Sequence, residues 1–269
     1  MESPIKIAII GSGNLATQLG MALYKDGYLI SQVYSRSQKN ASLLSKKLKA
    51  EAITDLKKLS QYSAIYIIAV KDDAIETVAK QLKLKDQIVV HTSGSVSMDV
   101  LKNSSKNYGV FYPLQTFSKE KKARPNGRGQ SFGRADFKTI PICIEANNKN
   151  TSTTLEYFAK SISNNVKKVN SEQRKKIHLA AVFACNFSNH MYAIAEQLLV
   201  KDKLSLDLLK PLIEETANKI KENKPSKVQT GPAARNDKKT MDAHLKLLSK
   251  EKDLQKIYTL ISKSIAKAK

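Results

Sequence analysis

The chain is poor in cysteine, arginine, acidic residues and long apolar runs, and each scarcity closes off a class of protein. Cys143 and Cys185 are its only cysteines. They have neither the spacing of a zinc site nor partners for a disulfide framework, so both scaffolds are excluded. No apolar stretch approaches the roughly 18 residues of a membrane span. The N-terminal apolar run leads straight into a glycine turn, unlike a signal peptide, and a cytoplasmic protein without membrane contact is expected. No histidine pair has H-E-x-x-H spacing, and no nucleophile, base and acid stand at a known triad spacing, so no metal site is expected. Acids number 24 against 46 lysines and arginines, giving a net charge of +22. Arginine occurs only at Arg36, Arg124, Arg128, Arg134, Arg174 and Arg235. The excess is therefore dispersed lysine, which reads as a solvated surface, and nucleic acid is not an expected partner. A generally positive field still favours anionic cofactors and substrates.

What the sequence does contain is organised around its N-terminus. Ile5 to Ile10 is apolar apart from Lys6 and rich in β-branched residues, as a strand covered on both faces should be. Gly11-Ser12-Gly13-Asn14-Leu15-Ala16 follows and opens a helix expected over Asn14 to Asp26. The first glycine allows the tight turn, and the second lets a pyrophosphate approach the backbone. Ala16, the third small position, lets helix and strand pack closely. The helix N-terminus supplies N–H groups and the positive end of the dipole to an anion. An empty turn used only for packing is the alternative.

A second strand is expected over Tyr28 to Tyr34. Where an NAD-specific protein places an acid for the ribose 2′-hydroxyl, this chain has Ser35-Arg36-Ser37. A guanidinium between two hydroxyls suits a 2′-phosphate, so NADP is preferred to NAD. The alternative leaves Arg36 simply exposed in its loop. Further strands are expected at Ala52–Thr54, Ser63–Val70, Gln87–His91, Gly109–Tyr112 and Ile140–Ile144, alternating with helices as parallel βαβ units do. Ligands of such sheets lie beyond the carboxyl ends of the strands. That rule selects Ala69, Val70, Thr92, Ser93, Gly94 and the Pro113–Gln115 loop as neighbours of a nicotinamide. Residues 119–138 are basic and nearly devoid of apolar side chains, and read as a mobile surface loop, with an anion-binding lid as the other reading.

Beyond residue 150 the pattern turns helical, and one long helix is expected over Ser171 to Val200. It is apolar around much of its circumference, so burial on several sides is expected. At 1.5 Å per residue it spans about 45 Å, longer than one small domain, so part of it is expected to meet a second subunit. His178 and Asn186 lie on it, offset by about 80° on an α-helix and two turns apart. His178 could act as general acid while Asn186 orients substrate or nicotinamide; the competing reading has both merely satisfying backbone groups. His91 reads as a support for the Thr-Ser-Gly loop after it. Arg235, Asp237 and His244 read either as an anion clamp with an acid or as a structural ion pair.

In order along the chain, Gly11-x-Gly13-x-x-Ala16, His91-Thr92-Ser93-Gly94, Tyr112-Pro113-Leu114-Gln115-Thr116-Phe117, His178…Asn186 and Thr230-Gly231-Pro232…Arg235…Asp237…His244 resemble a bacterial family. Its members are proposed NADP-dependent oxidoreductases that join a Rossmann-like domain to the domain of unknown function 2520. The chain is similar, more distantly, to pyrroline-5-carboxylate reductases and to 6-phosphogluconate and hydroxyacid dehydrogenases. The resemblance implies an α/β fold: an N-terminal, doubly wound, mainly parallel Rossmann sheet (1–146) followed by an all-α domain (147–269). It implies NADP at the glycine turn and a homodimer, and it names no substrate. Related hydroxyacid dehydrogenases carry a Lys and an Asn four residues apart on the equivalent helix; this chain lacks that spacing. The expected activity is hydride transfer between the nicotinamide and a small carbonyl, imine or hydroxy compound in an interdomain cleft. A non-catalytic dinucleotide-binding sensor or assembly protein is the alternative.

Overall fold

In the computed structural model, residues 4–118 and 135–268 are described. Most of the basic segment therefore lies outside the described residues. Its last part, 135–138, is coil and turn but does not lie wholly on the surface. Phe137 is buried and its ring stacks on Phe117 at 5.8 Å. Phe137 is drawn into the core because burying such a side chain stabilises by about 1.5–3 kcal/mol.

Strands β1 (Lys6–Ile10), β2 (Leu29–Tyr34), β3 (Glu51–Ile53), β4 (Ile65–Ile68), β5 (Ile88–His91), β6 (Asn107–Pro113), β7 (Ile142–Ala146) and β8 (Val166–Lys168) form one sheet. Its order is β3-β2-β1-β4-β5-β6-β7-β8. The first six strands run parallel, β7 pairs antiparallel with β6, and β8 runs parallel to β7. The strand order reverses between β1 and β4, which opens the crevice where such sheets bind ligands.

Helices α1 (Asn14–Lys25), α2 (Gln38–Leu48), α3 (Asp72–Gln81) and α4 (Lys149–Ile162) belong to this sheet unit. Alternation within β1 splits its side chains between two cores. Ile7 and Ile9 join Leu19, Leu23, Phe111 and Phe158 on one face. Ala8 and Ile10 join Tyr66, Ile68, Ile75 and Leu101 on the other. Both faces are covered, which is why these strands read as continuous apolar runs. α4 starts at Lys149, earlier than its apolar residues suggest, because Asn148 caps it by accepting the Thr151 N–H at 2.8 Å.

The chain divides into two compact units, Met1–Ser188 and Asn189–Lys269. The division falls later than the expected 146/147 boundary. The reason is packing: α4 places Leu155, Phe158, Ala159 and Ile162 in the core of the sheet, and β8 extends the sheet itself. The long helical run consists of α5 (Ser171–Ala181), a π-helical turn (Val182–Phe187) and α6 (Ser188–Val200). The second unit adds α7 (Lys210–Glu222), α8 (Pro232–Arg235), α9 (Lys238–Leu247) and α10 (Lys252–Lys267). Burial of the long run on several sides is not found within the chain, where no residue from Val182 to Val200 is buried. Its apolar side chains Phe183, Phe187 and Val200 face outward instead. No helix among the described residues is long and apolar enough to cross a membrane.

Candidate functional site

β1 delivers Gly11 into a turn that no other residue fits. Its φ is +132°, and a Cβ there would stand 2.1 Å from the Ala69 carbonyl oxygen. The Gly11 N–H donates to the Tyr34 carbonyl at 2.9 Å, tying the ends of β1 and β2 together. Gly13 presents the opposite case: a Cβ there would meet nothing within 4 Å, so the space in front of α1 is open. Helix α1 has no side-chain cap and no acid in its first turn. Its first N–H groups therefore lack both an intrahelical acceptor and a competing carboxylate, which suits an anion. The Asn14 amide turns aside to donate to the Phe117 carbonyl at 2.9 Å. Ala16 is buried against the core, as the third small position requires.

The end of β2 is joined to this turn. Ser12 Oγ donates to Ser35 Oγ at 2.9 Å, and Ser37 Oγ caps α2 through the Asn40 N–H at 3.4 Å. Arg36 is exposed beside them. Gly11 to Leu15, Ser35 to Ser37, Ala69 and Val70 line one cleft of about 940 Å³, together with Asn40 and the start of α3. An uncapped helix end, an unfilled glycine and an exposed guanidinium in one cleft fit a dinucleotide phosphate chain and its 2′-phosphate.

Thr92, Ser93 and Gly94 do not line that cleft; they form a separately braced loop. His91 is buried, and its Nδ1 accepts the Ser93 N–H at 3.2 Å. That fixes Nε2 as the protonated atom, lying 3.3 Å from the Ser97 carbonyl. Burial, then the nearby Arg174 charge, lowers the His91 pKa to about 4, so the ring is neutral. Asp72 Oδ2 accepts from Ser93 Oγ at 2.8 Å and from Ser95 Oγ at 2.6 Å. From α5, the fully buried Arg174 donates through Nη1 to the carbonyls of Ser93, Gly94 and Val96 at 3.2, 3.2 and 2.8 Å. Its Nη2 meets Glu145 Oε2 at 2.9 Å. A buried guanidinium requires such a carboxylate, since an unpaired charge there costs several kcal/mol, roughly.

His178 stands one turn beyond Arg174 on α5. Its Nδ1 lies 3.1 Å from the Tyr112 hydroxyl at the end of β6. It also packs on Gly94, where a Cβ would come within 2.6 Å of Nδ1. Thus Gly94 is small because the imidazole occupies the space. Asn186 sits exposed in the π-helical turn. That turn takes up about one residue more than an α turn. The eight-residue step from His178 then behaves as about seven, and the offset shrinks from about 80° to roughly 20°. His178 and Asn186 are therefore on one stripe, closer in angle than an unbroken helix allows.

Asp72, Tyr112, Glu145 and Arg174 were not assigned a role from sequence. None carries a local signal, because each acts on residues distant in the chain. In the second unit Asp237 caps α9, accepting the Thr240 N–H at 3.1 Å, and His244 Nδ1 lies 2.9 Å from the Tyr258 hydroxyl. Among the described residues Asp237 makes no ion pair with Arg235, so that reading gives way to a helix cap.

Fold and cleft together define a dinucleotide-binding oxidoreductase architecture followed by a helical unit. Residues 6–94 match the family described as NADP oxidoreductase, coenzyme F420-dependent, and residues 140–265 match the domain of unknown function 2520. A candidate NADP oxidoreductase of Bacteroides fragilis is 42% identical, with 98% of each chain covered and a TM-score of 0.87. The chain belongs to the same family as that protein. An imine reductase of Myxococcus stipitatus, solved with NADP+, shares the fold at 12% identity, covering 98% of this chain and 93% of its own, with a TM-score of 0.64. A pyrroline carboxylate reductase of Plasmodium falciparum, solved with NADP, does so at 14% identity, covering 97% and 98%, with a TM-score of 0.59. No curated protein matches the chain. NADP is the cofactor these findings support, and the non-catalytic alternative is not favoured.

Proposed function

We propose that the protein transfers a hydride between NADP(H) and a small carbonyl, imine or hydroxy compound. The observation that carries this reading is the single cleft that joins Gly11–Leu15, Ser35–Ser37 and Ala69–Val70. Bound there, the reduced dinucleotide supplies the hydride. The open face of Gly13 and the end of α1 hold the pyrophosphate, and Ser35, Arg36 and Ser37 hold the 2′-phosphate. Thr92, Ser93 and Gly94, braced by Arg174 and Asp72, form the wall on the nicotinamide side. His178 gives its proton to the carbonyl oxygen or imine nitrogen while the adjacent carbon gains the hydride, leaving an alcohol or an amine; oxidation reverses both steps. Asn186, on the same stripe, orients the substrate or the nicotinamide amide.

The helical run 171–200 is the proposed homodimer surface, because Phe183, Phe187 and Val200 remain exposed in the single chain. Two unpaired cysteines suit a reducing compartment, and the cytoplasm is the proposed one.

A panel of small keto acids, aldehydes and cyclic imines, followed by loss of NADPH absorbance, tests the reaction. At least one compound should be reduced, with His178→Ala slower by about 10²–10⁴-fold. An inert panel with NADPH tightly bound, or an unaffected His178→Ala, contradicts the reading. Arg36→Ala should weaken NADPH by about tenfold or more and NADH little, since a charge-assisted bond contributes about 1.5–3 kcal/mol.

A further inference from the structure

We infer that Tyr112 is a positioning residue that holds the His178 ring through Nδ1 and leaves Nε2 as the atom turned to the substrate. The inference rests on the reading of His178 as the proton donor, and its test does not require that reading to hold.

Tyr112 is the next-to-last residue of β6, held on its other side by antiparallel pairing with Cys143. Its side chain is almost wholly buried, and its hydroxyl has one hydrogen-bond partner among the described residues, His178 Nδ1 at 3.1 Å. The two rings meet at 68°, with centroids 6.1 Å apart. Gly94 packs closely against the Nδ1–Cγ edge of the imidazole, so the ring has little room to swing. Among the described residues the hydrogen bond of the ring is the one at Nδ1. Burial pushes the phenol up to about 12, with Cys143 and Asp72 adding to the rise and Arg174 opposing it. The phenol therefore keeps its hydrogen throughout the neutral range. Were Nδ1 of the neutral ring also protonated, that buried hydroxyl hydrogen would lack an acceptor among the described residues. Hydroxyl donating and Nδ1 accepting satisfies both atoms, and puts the imidazole hydrogen on Nε2.

A hydroxyl has a second merit here. When His178 takes up a proton, Nδ1–H becomes a donor, and the phenol oxygen accepts after a rotation of its own hydrogen. A carboxylate or a backbone carbonyl could accept but never donate. Tyr112 thus serves both protonation states of the ring without moving it, as a group that gains and loses a proton in each turnover needs.

Ring ¹⁵N chemical shifts of His178 in the full-length protein, read above the imidazole titration, test this directly. The wild type should show one tautomer, Nε2 protonated and Nδ1 bare. Tyr112→Phe, which keeps the ring volume, should raise the Nδ1-protonated fraction at least about threefold. A wild-type ring protonated at Nδ1 overturns the inference, and so does a tautomer ratio unmoved in a Tyr112→Phe protein whose thermal unfolding is unchanged. If Tyr112→Phe fails to fold, the wild-type spectrum still decides. An inert substrate panel beside the expected spectrum would overturn the proposed reaction and leave Tyr112 where it is.

Discussion

In the sheet unit, Ile7, Ile9, Leu23, Phe111 and Phe158 have at most 2% of their surface exposed; in the helical unit the buried residues are Ala233 and Ala234, among those described. Both stretches contain ample apolar residues. The difference lies in what each has to lay them against. The central strands of the first unit, β1 and β4, are buried on both faces within the same chain. The helices of the second unit turn Met191, Leu198, Leu254 and Ile261 toward an apolar cavity of about 280 Å³, while Leu260 and Leu212 point outward. A unit that buries so little apolar surface has correspondingly little to offset its conformational entropy.

The largest effect should come from removing core from the first unit. Phe158→Ala should cost about 3–5 kcal/mol at any protein concentration, whereas Leu260→Ala should cost under about 0.5 kcal/mol in a dissociated chain. Denaturant titration at two concentrations checks both, and equal costs would erase the contrast between the units.

Next in size is a pH effect confined to the first unit. His91 has a folded pKa of about 4, below the unfolded value of about 6.5. Between those values the unfolded chain binds a proton that the folded chain refuses. Stability is therefore full above about 6.5 and falls as pH drops toward 4, by an amount of order 3 kcal/mol. Unfolding at pH 7 and pH 4.5 should show a smaller loss in His91→Gln than in the wild type; parallel losses would remove His91 from the account.

Smaller again is the effect of dilution. If a second chain covers the helical unit, each tenfold dilution should lower its apparent stability by about 1.4 kcal/mol and leave the sheet unit's transition in place. A helical unit whose melting ignores concentration would argue against the homodimer.

The same contrast governs what the sequence disclosed. β1, the glycine turn and α1 were legible because a buried strand and a residue without Cβ leave marks within a dozen positions. β4 and β5 were legible as apolar runs. β8 was not, since Val166-Lys167-Lys168 is short and mostly polar and joins the sheet only through its backbone. The start of α4 was masked by polar residues ahead of Leu155. The π-helical turn left no mark in the pattern of the long helix, so the angle between His178 and Asn186 was overestimated. Tyr112 and His178 are 66 positions apart, and Arg174 and Glu145 29 apart, so neither pair can be seen before the chain is folded. Gly94 was read only as a neighbour of the nicotinamide, and its packing against the His178 imidazole could not be seen from the sequence.

The central claim, that a diphosphate lies against the bare backbone of the first turn, is tested most directly by NADPH titration of Gly13→Ala beside the wild type. A Cβ at this position meets no protein atom within 4 Å, so the unliganded variant should melt as the wild type does. NADPH affinity should fall by about a hundredfold, as a methyl group placed between amide and phosphate costs a few kcal/mol, roughly. Undiminished NADPH binding by an intact Gly13→Ala protein would contradict the account.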